Sequence, residues 1–246
     1  MTSCFVVVSF RPWLFGNLPL SFQLYQDAAR AVPWGSVEQT QFGQPVAVDL
    51  ALPVLSGTVS TTRTIYARVL PNQQTAAPGT YSSTFNGSQV RFNYAFYVLV
   101  PPSCSAVTSN VVRPNFTATA AVLPNCLVSA QDVNFGIRGV LDTVVDATGA
   151  IAARCTQGTP YTIGLNGGLS NVSPTQRRMT RAGRFVLYGL YRNSIRTLPW
   201  GDDVSNRYTG LGTGLSQNLP VYGRVPAQAT PPPGTYSDTV VVTVRY

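Results

Sequence analysis

The sequence Leu24-Tyr25 … Arg30 … Pro33-Trp34-Gly35 occurs a second time as Leu190-Tyr191 … Arg196 … Pro199-Trp200-Gly201, with identical internal spacing. The displacement is 166 residues at both ends, from 24 to 190 and from 35 to 201. A second motif repeats in the same order, Tyr66 … Arg68-Val69 … Pro78-Gly79-Thr80-Tyr81-Ser82 as Tyr222 … Arg224-Val225 … Pro233-Gly234-Thr235-Tyr236-Ser237. Solenoid repeats have periods of about 20–50 residues. The two motifs therefore predict two homologous domains in tandem.

Around the repeated motifs, the chain has the pattern of short β strands. Apolar and polar residues alternate over 65–69, 90–94, 116–122 and 239–246, and helical periodicity is nowhere convincing. Pro-Gly and Asn-Gly pairs, which favour turns, separate these segments. Short strands at intervals of roughly ten residues are typical of antiparallel sandwiches. The predicted fold class is therefore all-β, with each domain an antiparallel β-sandwich.

The inventory of ionisable residues argues against an enzyme. All 17 basic residues are Arg, His is absent, and Glu38 accompanies only eight Asp. General acid–base catalysis relies mainly on His, Glu, Asp and Lys. Asp202-Asp203 is the only acidic pair, and it predicts a turn rather than a catalytic dyad, because adjacent strand residues point to opposite faces. We therefore predict no catalytic residues and no cofactor.

The net charge of +8 is compatible with an acidic partner, but the excess of Arg is spread over both halves of the chain. No basic arm for nucleic acid is therefore predicted. The densest cluster is Arg177-Arg178 … Arg181 … Arg184. It could bind phosphate or a sulfated glycan, but the polar stretch that contains it favours a solvated loop.

Cysteine usage indicates disulfides. An even number of Cys in a Thr- and Ser-rich β chain favours disulfides over metal ligation. The absence of His and of a Cys-x-x-Cys motif argues against a zinc site. We predict the pairs Cys126 with Cys155 and Cys4 with Cys104, and no metal.

The first copy begins late relative to the second. Copy two has 64 residues from Cys126 to Leu190, whereas copy one has 23 residues ahead of Leu24. The difference of about forty residues corresponds to two or three strands. We expect Met1 to be an internal start, with these strands and a signal peptide encoded upstream. The Ser- and Pro-rich stretch near 101–115 predicts the boundary, which gives domains at 1–105 and 106–246.

The residues of copy two, taken in order, resemble those of a known family. They are Cys126-Leu-Val-Ser-Ala, Asn134-Phe-Gly136, Cys155-Thr-Gln-Gly-Thr-Pro-Tyr161, Arg177-Arg-Met-Thr180, Trp200-Gly-Asp202, Val221-Tyr-Gly-Arg-Val-Pro226 and Pro233-Gly-Thr-Tyr-Ser-Asp-Thr-Val240. This series resembles the spore coat protein U domain, which builds the subunits of archaic, Csu-type chaperone–usher pili. Two tandem copies resemble the two-domain tip subunit rather than the single-domain rod subunits.

The resemblance implies immunoglobulin-like pilin domains, the second lacking its final strand, which an extended segment of a neighbouring subunit completes. It implies three partners: a periplasmic chaperone, an outer-membrane usher and the neighbouring pilus subunit. Val240, Val242 and Val244, with Tyr246 in phase, are the candidates for lining the acceptor groove for the donor strand or chaperone. The alternative is that 239–246 is an ordinary closing core strand.

Features found in copy one alone are the candidates for surface contact. Trp13, Leu14 and Phe15 lie in a segment bounded by Pro and Gly, and they predict an apolar loop tip that contacts a target. Ala95–Pro101 is a second unmatched apolar run. Burial in a core or between the domains is the alternative for both runs, and we favour it.

The sequence thus predicts a secreted, non-enzymatic pilus subunit, most simply the tip adhesin, that mediates surface attachment and biofilm formation. Its C-terminal domain would join the fibre by donor-strand complementation, and its route would be through the periplasm to the cell surface. The first alternative is a structural spore or cell-surface coat protein without specific adhesion, and a glycan-binding module is a third. Residues shared by both copies, such as Trp34 and Trp200, are predicted to be scaffold.

Overall fold

The computed structural model describes residues 2–7, 13–15, 18–37, 40–51 and 59–246, with the backbone alone for residues 2–7, 13–15, 18, 40 and 88. The chain divides into two compact units, unit 1 at Met1–Val122 and unit 2 at Leu123–Tyr246. The described residues form strands, with three short 3-10 helices at Thr40–Phe42, Gly87–Gln89 and Cys104–Ala106, so the all-β prediction is confirmed. The strand at 116–122 pairs within unit 1, and the domain boundary expected between 105 and 106 stays a prediction.

The described residues of unit 1 form three antiparallel sheets. Its strands are β1 (Thr2–Val7), β2 (Trp13–Phe15), β3 (Leu18–Leu20), β4 (Phe22–Tyr25), β5 (Val46–Asp49), β6 (Tyr66–Val69), β7 (Gly79–Phe85), β8 (Val90–Ala95) and β9 (Phe116–Val122). The sheets have the orders β5-β1-β8, β3-β2-β7-β9 and β4-β6. The core contains Leu20, Phe22, Leu24, Trp34, Tyr81, Phe85 and Val90.

Unit 2 is a sandwich of two antiparallel sheets. Its strands are β10 (Cys126–Ala130), β11 (Val145–Cys155), β12 (Pro160–Leu165), β13 (Arg177–Arg181), β14 (Arg184–Tyr191), β15 (Tyr208–Leu211), β16 (Gln217–Val225) and β17 (Val242–Arg245). The sheets have the orders β10-β11-β16-β14-β13 and β15-β12-β17. Buried residues of both sheets, such as Ile151 and Ile163, belong to one core.

The first repeated motif builds the same turn in both units. The side chains of Asp27 and Asn193 each accept backbone N–H bonds from the residues four and five positions later. Arg30 and Arg196 both have a left-handed backbone, with φ of 56° and 57°. Each Nε then donates to a carbonyl of a neighbouring strand at 3.0 Å. The repeated Arg residues therefore fix a turn.

The repeated Trp residues are scaffold, as predicted. Trp34 and Trp200 are buried, at 3% and 1% exposure. Their backbone N–H groups donate to the carbonyls of Leu24 and Leu190, at 2.9 and 2.8 Å. The Trp200 indole also donates to the carbonyl of Ile163 at 2.9 Å, which ties the turn to β12.

One predicted disulfide is confirmed. Cys126 and Cys155 form the first pair of the β10–β11 ladder and are bonded to each other. Cys104 is also disulfide-bonded, and the 3-10 helix that contains it lies against β1, the strand of Cys4. The pairing of Cys104 with Cys4 stays a prediction, because the Cys4 side chain is outside the described ones.

The two unmatched apolar runs of unit 1 differ from expectation. Trp13, Leu14 and Phe15 form β2, which pairs with β3 and, at Leu14, with Ser82 of β7, so they are not a loop tip. Their side chains are not described, and their contact role stays a prediction. The second run is not buried in the core of unit 1, and its burial between the domains stays a prediction. Among the described residues no strand pairs with the segment after β8, and Phe96, Val98, Leu99 and Val100 are 66, 95, 89 and 77% exposed.

Candidate functional site

Unit 2 contains an open cleft of about 1250 Å³ that reaches into its core. The extended stretch 130–139, which follows β10, forms one wall, and residues 230–238 with Val240 and Val242 form the other. Core side chains such as Ile151, Tyr188 and Val221 form the floor. The cleft therefore leaves part of a sandwich core accessible from the surface.

A comparison with unit 1 shows which strand is absent from the edge of this cleft. In unit 1, β7 pairs on one side with β2, at Leu14↔Ser82, and on the other side with β9 along its whole length. The equivalent of β7 in unit 2 is the segment 234–240, which pairs with β13 through the bridge Thr180↔Ser237. This bridge is the repeat of Leu14↔Ser82. Within the described residues of unit 2, no strand occupies the side of 234–240 where β9 would lie.

Burial follows this difference in pairing. On β7, the alternate residues Tyr81, Ser83 and Phe85 are 0, 5 and 1% exposed. Their equivalents Tyr236, Asp238 and Val240 are only partly buried, and all three line the cleft.

In unit 1, the final strand β9 covers the edge that is open in unit 2. Alternate residues of β9 pack against the unit 1 core: Phe116, Ala118, Ala120 and Val122. The Phe116 ring stacks on that of Phe85, with the centroids 4.6 Å apart. β9 therefore closes the core of unit 1 at the edge that is open in unit 2.

The four predicted groove residues are divided between two places. Val240 and Val242 line the cleft, whereas Val244 packs against the core away from it. Tyr246 is 58% exposed, and its hydroxyl lies 3.4 Å from the side-chain oxygen of Asn125. The reason is that β17 pairs with β12 and carries the chain past the cleft. The acceptor role of these residues stays a proposal.

Sequence reasoning missed most of the cleft lining, including three side chains with polar groups: Tyr188, Tyr236 and Asp238. Two of them had a signal in the sequence. The alternation that selected the even-numbered valines extends back through Asp238 to Tyr236. Tyr188 had none, because it lies on another strand and reaches the cleft only through the packing of the sheets.

Tyr188 and Asp238 form a polar pair in the cleft. The Tyr188 hydroxyl donates to Oδ2 of Asp238 at 2.7 Å, and the backbone N–H groups of Leu169 and Thr239 donate to Oδ1, each at 2.8 Å. Burial first, and then the Asp238 carboxylate, raise the pKa of the Tyr188 phenol. The phenol therefore keeps its proton and remains the donor.

The Arg cluster is not the solvated loop that the sequence favoured. Residues 177–181 form β13, and Arg177 is fully buried. Its guanidinium donates to backbone carbonyls of Asn166, Pro174, Leu165 and Trp200, at 2.8, 2.6, 3.1 and 2.8 Å. Because these donors are used by the main chain, Arg177 holds the loop 166–174 in place beside the cleft.

The acidic pair lies in a turn, as expected. Asp202 accepts hydrogen bonds from Arg245 at 2.7 and 3.0 Å and from Arg207 at 3.3 Å. The bond from Arg245 is the main cause of a lowered pKa of Asp202. The ionised carboxylate thus ties β17 to the turn.

In the described part of the chain, no three residues among His, Cys, Asp and Glu are grouped as metal ligands would be, and no helix has the length and apolar character of a membrane span.

The fold and the cleft define a class of protein: two tandem β-sandwich units, one closed by its own final strand and the other open at the same edge. The family model of the Spore Coat Protein U domain matches residues 15–87 and 113–243. The chain therefore belongs to the Spore Coat Protein U domain family, which confirms the resemblance of its motifs.

Two relatives extend this comparison. Protein U of Myxococcus xanthus is 32% identical over 127 residues, a match that covers 46% of this chain and 71% of that protein. A chain in the crystal structure of the CsuC–CsuE chaperone–tip adhesion subunit pre-assembly complex, from the archaic chaperone–usher Csu pili of Acinetobacter baumannii, has the same fold. The TM-score is 0.60 at 20% identity, and the match covers 100% of this chain and 85% of that one.

Proposed function

We propose that this chain is a non-enzymatic subunit of a chaperone–usher pilus, exported through the periplasm to the cell surface. Unit 2 joins the fibre by accepting an extended segment of a neighbouring subunit into its cleft. The observation that carries the proposal is the difference between the units: β9 covers β7 in unit 1, and the equivalent edge at 234–240 is uncovered in unit 2. Family membership and the Csu-type fold support it.

Strand addition suits this edge on physical grounds. An uncovered strand offers backbone donors and acceptors in a row, and side-chain pockets along it give specificity. Such an edge beside an open core also promotes aggregation. The proposal therefore includes a periplasmic chaperone that covers the cleft before assembly, and an outer-membrane usher at which the neighbouring subunit replaces it.

A paired substitution tests the strand-acceptor role. Val240 faces the cleft, whereas the next residue, Val241, is 54% exposed on the opposite face. Val240→Asp should abolish incorporation into surface fibres, and Val241→Asp should leave it intact, with limited proteolysis as the check that both variants fold. Equal incorporation of two folded variants would refute the role.

For unit 1 we propose the adhesive role of a pilus tip, in surface attachment and biofilm formation. Val98, Leu99 and Val100 form an exposed apolar segment, which marks an interaction site on a protein surface.

The adhesive role can be separated from assembly. Replacing Val98, Leu99 and Val100 with Ser should remove attachment to surfaces while fibres still form, and Val204→Ser, at an 86% exposed position of unit 2, is the matched control. A second variant with Ser at Trp13, Leu14 and Phe15 tests the other proposed contact. If every variant with normal fibres attaches normally, a structural coat protein is the better description.

A further inference from the structure

Two equivalent positions differ in chemistry between the closed and the open unit. Tyr188 corresponds to Phe22 of unit 1 by the 166-residue displacement of the first motif. Asp238 corresponds to Ser83 by the 155-residue displacement from Pro78-Gly79 to Pro233-Gly234. Phe22 and Ser83 are buried beneath β9, at 1 and 5% exposure. Unit 2 therefore places a hydrogen-bonded carboxylate where unit 1 has a small side chain.

The register of unit 1 identifies the residue that faces this pair. β9 is antiparallel to β7, and Ala118 lies opposite Ser83. Ala118 points inward and packs against the core. A strand that covers 234–240 in the same register would place its own equivalent of Ala118 directly over Asp238.

One oxygen of the Asp238 carboxylate can accept a further hydrogen bond. Oδ1 accepts two backbone N–H bonds, whereas Oδ2 accepts the Tyr188 hydroxyl. A carboxylate oxygen has two lone pairs, so Oδ2 can accept one further donor. When a strand excludes water from the cleft, that position of Oδ2 must be satisfied by the strand, or the covered state is weakened.

We propose that Tyr188 and Asp238 select the strand that unit 2 accepts. At the position equivalent to Ala118 they require a small side chain with a hydroxyl donor, which is serine, and they reject a bulky apolar side chain such as leucine. A serine at this position donates a hydrogen bond to Oδ2. A leucine would exclude water from the carboxylate without replacing its hydrogen bond. A leucine would also fit poorly, because Asp238 is larger than the equivalent Ser83 of unit 1. This inference rests on the proposed strand-acceptor function.

The probe is a peptide with the sequence of residues 115–123, carrying Ser or Leu at the position of Ala118. The full chain is refolded with each labelled peptide, and the dissociation rate is measured. The double variant Tyr188→Phe, Asp238→Ser carries the residues of unit 1 at both positions. The single variant Asp238→Ser replaces it in the experiment if the double variant does not fold. Ser or Leu at the position of Ala120, which faces Tyr236 by the same register, is the matched control.

We expect the wild-type chain to hold the Ser peptide at least tenfold longer than the Leu peptide, and the double variant to reduce this ratio to near one. The ratio at the control position should be the same in both proteins. Equal Ser-to-Leu ratios in wild type and variant would overturn the inference while leaving the strand-acceptor function intact. Failure of every peptide to bind would overturn that function and the inference with it.

Discussion

Phe116→Ala should destabilise unit 1 and leave unit 2 unchanged, because β9 closes the first core. Replacing a fully buried Phe with Ala costs about 3–5 kcal/mol. Phe116 is only partly buried, at the end of the ladder, but it stacks on Phe85. We therefore expect the free energy of unfolding of unit 1 to fall by about 2 kcal/mol, which is roughly a thirtyfold change in the unfolding equilibrium.

Amide hydrogen exchange resolves the two units in the intact chain. Amides of β7 and β16 report on units 1 and 2, and those in core strands exchange through global opening. Phe116→Ala should speed exchange in β7 about thirtyfold and leave β16 unchanged. Thr119→Ala, on the exposed face of β9, is the control and should have little effect. Unchanged exchange in β7, or faster exchange in β16 instead, would show that β9 does not close the core of unit 1.

Three further predictions concern unit 2. Arg177→Met should lower its free energy of unfolding by about 3–5 kcal/mol in urea denaturation, because four backbone carbonyls lose their donor. Reducing the Cys126–Cys155 disulfide, which spans 29 residues, should cost about 3.6 kcal/mol, measured by thermal melting with and without reductant. Asp146→Asn should cost less than about 1 kcal/mol at pH 7, because the carboxylate, which pairs with Arg224 and Arg196, is more than a third exposed and is screened by solvent. The pKa of Asp146 is lowered, chiefly by the hydrogen bond from Arg224, so this contribution is complete above pH about 4 and is lost as the pH falls below it. The unfolding curves of Asp146→Asn and wild type should therefore converge in acid.

The features that the sequence predicted well are those carried by the repeat. Both copies of the Pro-Trp-Gly motif occupy buried turns, and the alternating segments are strands, because local pattern decides both. The alternation at 116–122 was also recognised as a strand. Its pairing with β7 of unit 1 was not predicted, because that pairing is a contact between distant segments, whereas composition placed the boundary in the Ser- and Pro-rich stretch before it.

Long-range contacts also explain the errors at single residues. Arg177 belongs to a cluster of like charges in the sequence, and only the fold brings four carbonyls to its guanidinium. The run 95–101 is apolar enough to predict burial, but none of the described strands pairs with it after β8. The Tyr188–Asp238 pair joins two strands that are distant in the chain. Aligning the two copies shows that both positions differ from unit 1, but not that they touch.

The central claim is that a strand equivalent to β9 completes unit 2 along 234–240. The chain can be extended after Tyr246 by a Gly/Ser linker that matches the 96–115 connection, followed by a copy of residues 116–122. The control extension has Ser in place of Phe116 and Val122 in that copy. Amide hydrogen exchange over 234–240 should be at least tenfold slower with the native copy than with the control. Equal exchange in the two extended chains would contradict the claim.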